Sequence, residues 1–126
     1  MALGANHKIP TISTHVLDTE RGMPAAGVHV TLYRIADDGR PFRLTQALTD
    51  ADGRVADLLD RPLTAGDYRL EFALVLDLAD AAPGASRPPD PFFRRMSVDL
   101  RVTDTSRSYH VPLLLAPFSM TTYRGS

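Results

Sequence analysis

Cysteine is absent from the chain, which excludes disulfide staples, thiolate nucleophiles and thiolate zinc sites. The compartment stays open on that ground, because a cysteine-free protein folds in either redox environment. No apolar run approaches the roughly 20 residues needed to cross a bilayer, and residues 1–10 carry no apolar stretch of signal-peptide length. A cytoplasmic protein with no membrane attachment is the expectation. An excess of one charge is missing too: the formal net charge is −1, with the charges spread along the chain. That argues against a nucleic-acid footprint and against a polybasic membrane patch. Lysine is nearly missing, Lys8 being the only one among fourteen basic residues, a bias that genome composition explains as well as function does. No GxSxG, HExxH or phosphate-binding glycine loop occurs. Asp50 and Asp52 fit a turn, since the rest of a calcium-loop ligand pattern is not there.

What is present is a hydrophobic fraction of 44% in 126 residues, enough for one domain with a real core. Residues 1–10 read as a leader ending at Pro10, and residues 11–126 as the domain. Residues 11–17 read as a strand rich in β-branched side chains, with Ile12, Thr14 and Val16 on one face and Ser13, His15 and Leu17 on the other. Residues 18–26, with Gly22 and Pro24, read as a loop. Residues 27–35 form the cleanest strand, Val28, Val30 and Leu32 sharing its core face. Asp37-Asp38-Gly39 turns the chain into a returning strand over 42–49. Asp50-Ala51-Asp52-Gly53 is a second turn, Gly53 being free to take a positive φ, and a short strand over 54–56 follows. Residues 57–66 read as loop, and residues 67–75 as a strand with Tyr68, Leu70, Phe72 and Leu74 inward. Better helix formers over 76–82 predict one or two helical turns, and four prolines make 83–91 an irregular connection. Strands follow over 93–102, 108–115 and 119–124. About eight short strands, one short helix and no repeat predict an all-β, two-sheet sandwich.

Two of these strands carry an unusual outer face. His15 and Leu17 lie on the non-core side of residues 11–17, and His110, Pro112 and Leu114 on that of residues 108–115. A solvent face should read polar. Leucines beside histidines there point to a surface covered by another subunit, provided the two strands share a sheet. Pro112 has no amide to donate and should occupy an edge or a non-ladder position. His7 in the leader and His29 on a strand read as solvated residues. His15 and His110 are two possible zinc ligands, but no third protein ligand is evident. The chain ends on Tyr123-Arg124-Gly125-Ser126. Alone, such a tail reads as a frayed end.

Four blocks in order change that reading: Thr14-His15-Val16-Leu17-Asp18 with Arg21-Gly22-x-Pro24-Ala25; Asp52-Gly53-Arg54; Tyr109-His110-Val111-Pro112-Leu113-Leu114; and the terminal Tyr123-Arg124-Gly125-Ser126. Together they resemble the transthyretin-related proteins across residues 11–126. Within that family the terminal motif is similar to that of the 5-hydroxyisourate hydrolases rather than the hormone carriers. The resemblance implies a transthyretin-like (prealbumin-like) β-sandwich that assembles as a homotetramer, a dimer of dimers with sites in the channel between dimers. It implies hydrolytic ring opening of 5-hydroxyisourate to 2-oxo-4-hydroxy-4-carboxy-5-ureidoimidazoline in urate catabolism, with no metal or organic cofactor. By matching position, His15, Arg54, His110 and Ser126 are the implied catalytic residues. Substrate contacts are implied for His15, Arg54, Tyr123, Arg124 and Gly125. The chain departs from the family pattern at Met23, where Cys is common, at Met120-Thr121, where Tyr-Ser is common, and over 83–91.

These residue types suit the chemistry. Water must be activated, an oxyanion stabilised and a flat polar ring held. A neutral histidine serves the first task near pH 7. Histidine and arginine donors serve the second, and the planar guanidinium fork of Arg54 suits a flat anionic heterocycle. Which histidine is the base stays open, and no acidic residue is placed to complete a Ser-His-Asp triad. Two other classes compete: a transthyretin-like carrier of an apolar molecule in the channel, and a structural sandwich with an adhesive face. Neither gains from His15, Arg54 and the terminal motif.

Overall fold

The computed structural model describes residues 9–74 and 92–126, so the helix expected over 76–82 and the connection over 83–91 lie outside the described residues. In chain order the strands are β1 (Ile12–Asp18), β2 (Met23–Pro24), β3 (His29–Ile35), β4 (Pro41–Leu48), β5 (Arg54–Val55), β6 (Gly66–Ala73), β7 (Arg95–Val102), β8 (Tyr109–Ala116) and β9 (Ser119–Thr122). No described helix is long and apolar enough to cross a membrane. One sheet runs β2-β1-β8-β9, with β5 also paired to β1, and the other runs β4-β3-β6-β7. This is the expected all-β sandwich.

Two features correct the reading along the chain. Residues 18–26 are not simply loop. Gly22, at φ 68°, donates its amide to the Asp18 carbonyl at 2.9 Å, and the tight turn this closes brings Met23 back beside Asp18 as β2. Residues 57–66 are not a free loop either. Leu58, Leu59 and Leu63 are buried, and the Leu58 amide bonds the Ile12 carbonyl at 2.9 Å, so this connection closes one end of the core.

The core forms where the inward faces meet. Ile12, Val16, Val111 and Leu113 of the first sheet pack in one cluster with Val30, Leu32, Leu70 and Phe72 of the second. Each such side chain, fully buried, contributes about 1.5–3 kcal/mol relative to exposure. Thr14 is buried among them and satisfied, its hydroxyl donating to the Val111 carbonyl at 2.6 Å. The inward sets match the alternation predicted for β1, β3, β6 and β8, because period-two patterning follows directly from strand geometry.

The outer faces of the two sheets differ. On the second sheet, β6 and β7 pair Asp67 with Arg101 and Arg69 with Asp99 across the ladder. Hydrogen bonds from those arginines hold both carboxyls below the ordinary aspartate range. That face is an ordinary charged, solvated one. The first sheet's outer face carries none of this charge alternation, and His15, Arg54 and His110 of the sequence blocks fall there.

Two glycines with positive φ separate backbone strain from steric fit. Gly39 (φ +86°) has open space where a Cβ would go, whereas a Cβ on Gly53 (φ +75°) would overlap the Val16 carbonyl oxygen. Gly53→Ala is therefore expected to cost more than the ~1–2 kcal/mol of left-handed strain, and Gly39→Ala to cost only that. Urea midpoints of the two variants check this; equal losses would contradict the packing argument.

Candidate active site

The site is built on β1. Its burial alternates, Ile12, Thr14 and Val16 inward and Ser13, His15 and Leu17 half-buried on the outer side. β5 runs antiparallel along one side of it, placing Arg54 directly opposite His15. The turn before β5 fixes that register. Asp50 accepts the amides of Asp52 and Arg54 on Oδ1, both at 2.9 Å, and the Gly53 amide bonds the Asp50 carbonyl at 2.9 Å. The Gly53 carbonyl in turn accepts the Val16 amide at 2.7 Å, which ties the turn to β1 one residue beyond His15. Paired side chains on one face stand roughly 5 Å apart at Cβ, so Arg54 and His15 are neighbours. The Arg54 side chain is exposed.

β8 runs along the other side of β1, and parallel to it, with Ser13 opposite His110, His15 opposite Pro112 and Leu17 opposite Leu114. His15 and His110 are thus diagonal neighbours on one outer face. The Ser13 hydroxyl lies 2.8 Å from Nδ1 of His110. Burial is the first cause that pushes the His110 pKa down, and the positive charges of Arg54 and His15 push it the same way. All three disfavour the imidazolium and favour the neutral ring. Among the described residues no group of three His, Asp or Glu side chains converges on a point where a metal ion would sit.

Pro112 shapes the tail. β9 pairs with β8 through Leu113↔Thr122 down to Ala116↔Ser119. Continued by one residue, the register sets Tyr123 against Pro112, which has no amide to give. The ladder stops at Thr122, two residues short of the expected 119–124. Pro112 is not at an edge or outside a ladder as expected: it pairs with His15 on the β1 side, and only on the β9 side does the pairing end beside it. Its carbonyl instead accepts the Thr122 hydroxyl at 2.8 Å. The register then resumes past the gap: the Gly125 amide donates to the His110 carbonyl at 2.7 Å. Gly125 is needed there for closeness, since a Cβ would stand 2.7 Å from Cδ2 of His110 and 3.2 Å from the Pro112 ring. The tail is held against His110.

The expected residues fall into two groups. His15, Arg54 and His110 come together on the outer face, with Gly125 against His110 and Tyr123, 53% exposed, beside it. Arg124 points to the other side of the tail. Its guanidinium lies 4.8 Å from the Tyr109 ring centroid, and its Nε donates to the backbone oxygen of Ser126 at 3.2 Å. The Ser126 side chain is exposed. A cleft of about 280 Å³ also opens beside the tail, lined mainly by inward residues such as Val98, Leu100, Tyr109 and Val111. It is largely apolar and reaches His110 and Tyr123 as well, while neither His15 nor Arg54 lines it. Ser13 is the contact the sequence reading missed. Its position two residues before His15 on the same face was visible, but its partner depends on a pairing between residues 97 apart.

Fold and site together define a two-sheet β-sandwich whose first sheet carries an outward His-Arg-His set closed by its own tail. The model of the HIUase/Transthyretin family matches residues 12–125, and the chain belongs to that family. It is 46% identical over 119 residues to the 5-hydroxyisourate hydrolase of Deinococcus radiodurans, covering 93% of this chain and 97% of the relative. It is 42% identical over 123 residues to that of Halalkalibacterium halodurans, covering 91% and 97%. Among solved structures, Klebsiella pneumoniae 5-hydroxyisourate hydrolase superposes with a TM-score of 0.71 at 35% identity, covering 93% of this chain and 99% of that one. Transthyretin from Sparus aurata superposes with a TM-score of 0.75 at 28% identity, covering 93% and 97%.

The lowered His110 pKa makes a signed prediction. A histidine whose folded pKa lies below its unfolded value of about 6.5 contributes its full stability above that value. The contribution is lost as pH falls from there through the folded pKa. An NMR titration should find the His110 midpoint below about 6.5, and Arg54→Gln should move it up by removing a repelling charge. A midpoint at or above the ordinary value would contradict the environment described.

Proposed function

We propose that the chain hydrolyses 5-hydroxyisourate in urate catabolism, to 2-oxo-4-hydroxy-4-carboxy-5-ureidoimidazoline. The carrying observation is the convergence of His15, Arg54 and His110 on one outer face, with the tail bonded to the His110 backbone. The names of the relatives support the substrate, because the chain is 46% identical to a hydrolase and 28% identical to a transthyretin. The fold alone does not separate the two, since TM-scores of 0.71 and 0.75 are alike. The ionisable site does: a carrier of an apolar molecule has no use for a neutral histidine beside an arginine and a second histidine.

In this reading His110 is the base. Its charged form is disfavoured, and with Nδ1–H donated to the Ser13 oxygen its Nε2 is the free base. Water gives its proton to Nε2 as its oxygen adds to a ring carbonyl carbon. Arg54 and His15 donate hydrogen bonds where the oxyanion develops, in the manner of an oxyanion hole. The adjacent C–N bond breaks, the ring nitrogen takes the proton from His110, and the carbonyl carbon becomes a carboxylic acid, which loses its remaining proton to solvent as the carboxylate. Tyr123, Gly125 and Ser126 wall the site, and Arg124 holds the tail from beneath. The scheme runs without a metal or organic cofactor.

The same face supports a homotetramer, a dimer of dimers with this surface lining the channel. Leu17, Pro112 and Leu114 lie beside the site residues, and Tyr123 is half-exposed. Apolar groups flanking a polar site are what a second subunit would cover.

The test follows the ultraviolet absorbance of freshly made 5-hydroxyisourate. The protein should accelerate its decay, and His15→Ala and Arg54→Ala should each lower kcat/KM by roughly 100-fold or more while the tetramer persists. Deleting residues 123–126 should likewise remove turnover and leave the core folded. Decay no faster than without protein would reject the enzyme, and unchanged kinetics in either variant would reject the site.

A further inference from the structure

The Ser13–His110 contact is not used by the blocks that identify the family, yet it is the only side-chain hydrogen bond made to a candidate catalytic ring among the described residues. Its geometry is determined by the fold. Ser13 and His110 are register partners in the β1–β8 ladder, and Thr14 beside them is locked by its buried bond to Val111. A serine has one side-chain torsion to settle, so a 2.8 Å contact between register partners costs little ordering entropy. We propose that Ser13 is a positioning residue: its oxygen accepts the Nδ1–H of His110, which holds the ring in the tautomer whose bare Nε2 is offered to water. The inference rests on the hydrolase reading above.

The chemistry favours a hydroxyl at this place. When Nε2 takes the proton of water, Nδ1–H remains and donates to the Ser13 oxygen. When the proton passes on to the leaving nitrogen, the ring returns to its starting tautomer. Ser13 gains and loses nothing. A carboxylate here would also orient the ring, but it would stabilise the imidazolium and raise its pKa. The charged and titratable groups around His110 are His15 from β1, Arg54 from β5, Tyr109 on its own strand, Tyr123 and Arg124 from the tail, and Arg101 of β7, which shares a cleft with the ring and is paired with Asp67; β9 carries none. Burial, positive neighbours and a neutral partner all disfavour the charged ring, which favours its service as a base.

The experiment compares Ser13→Ala, Ser13→Thr and Ser13→Asp in the full-length protein, alongside the unaltered chain. Ser13→Ala should lower kcat by about tenfold, the worth of one net hydrogen bond, with KM little changed. Ser13→Thr should restore it, and Ser13→Asp should shift the acid limb of the kcat profile to higher pH. Nitrogen-15 NMR of the His110 ring supplies a readout independent of turnover: Ser13→Ala should change the balance of Nδ1 and Nε2 protonation. Loss of kcat with an altered ring signal and rescue by threonine supports the proposal. An unaltered ring signal in Ser13→Ala, or an unchanged kcat with an unshifted acid limb in a wild-type enzyme that turns over, overturns it. If Ser13→Ala fails to fold, the threonine and aspartate variants decide: a threonine variant slowed as much as the aspartate one, with no acid-limb shift, overturns it too. A wild-type protein that does not hydrolyse the substrate instead removes the hydrolase reading, while the ring signal still reports the contact.

Discussion

The parallel pairing of β1 with β8 is the constraint on which the rest of this molecule depends. Seven register pairs run from Ile12↔Tyr109 to Asp18↔Leu115, joining the first strand of the domain to the last but one. The register is held from the inside. Ile12, Val16 and Leu113 are fully buried, Val111 is 5% exposed, and the Thr14 hydroxyl is bonded across the ladder. A slip of one residue would turn each of these apolar side chains outward and carry His15 or His110 into the core. The hydrophobic effect thus specifies the geometry of a polar site without touching it. The inward residues set the register, and the register sets which outward residues meet.

On that frame the site is finished by local backbone chemistry. Gly53, in a conformation that side chains rarely adopt, lets the second turn dock on Val16 and brings Arg54 opposite His15. Pro112 withholds an amide and ends the β9 ladder, while Gly125, lacking a Cβ, lets the tail close again on His110. Arg124 then stacks on Tyr109, whose ring is itself buried. A terminal segment that would ordinarily fray is held by one backbone bond, one cation–π contact and one tight glycine fit.

Much of this was legible in the chain. The core faces of β1, β3, β6 and β8 follow from alternation, and the Asp50–Gly53 turn from its residue types. His15 and His110 were visible as polar residues on faces that also carried leucines. What escaped depended on non-local pairing. Nothing in residues 11–17 says that they pair in parallel with residues 109–115, so Ser13 could not be matched to His110. Met23 and Pro24 are too few to show a strand period. Leu58, Leu59 and Leu63 sit among loop-forming residues, and their burial is decided by the sheets above them. Arg124 was grouped with its tail neighbours, although strand alternation turns it toward Tyr109 and away from His15.

The central claim is that the flat substrate is bound on the outer face between His15, Arg54 and His110, not in the apolar cleft beside Tyr109. The most direct measurement is a crystal structure with a planar purine that resembles the substrate and cannot be hydrolysed, urate itself being suitable. The account predicts the ring on that outer face, with the Arg54 guanidinium and the free nitrogen of His110 at hydrogen-bond distance from it. A ring lodged among Val98, Leu100 and Tyr109, with His15 and Arg54 untouched, would contradict it.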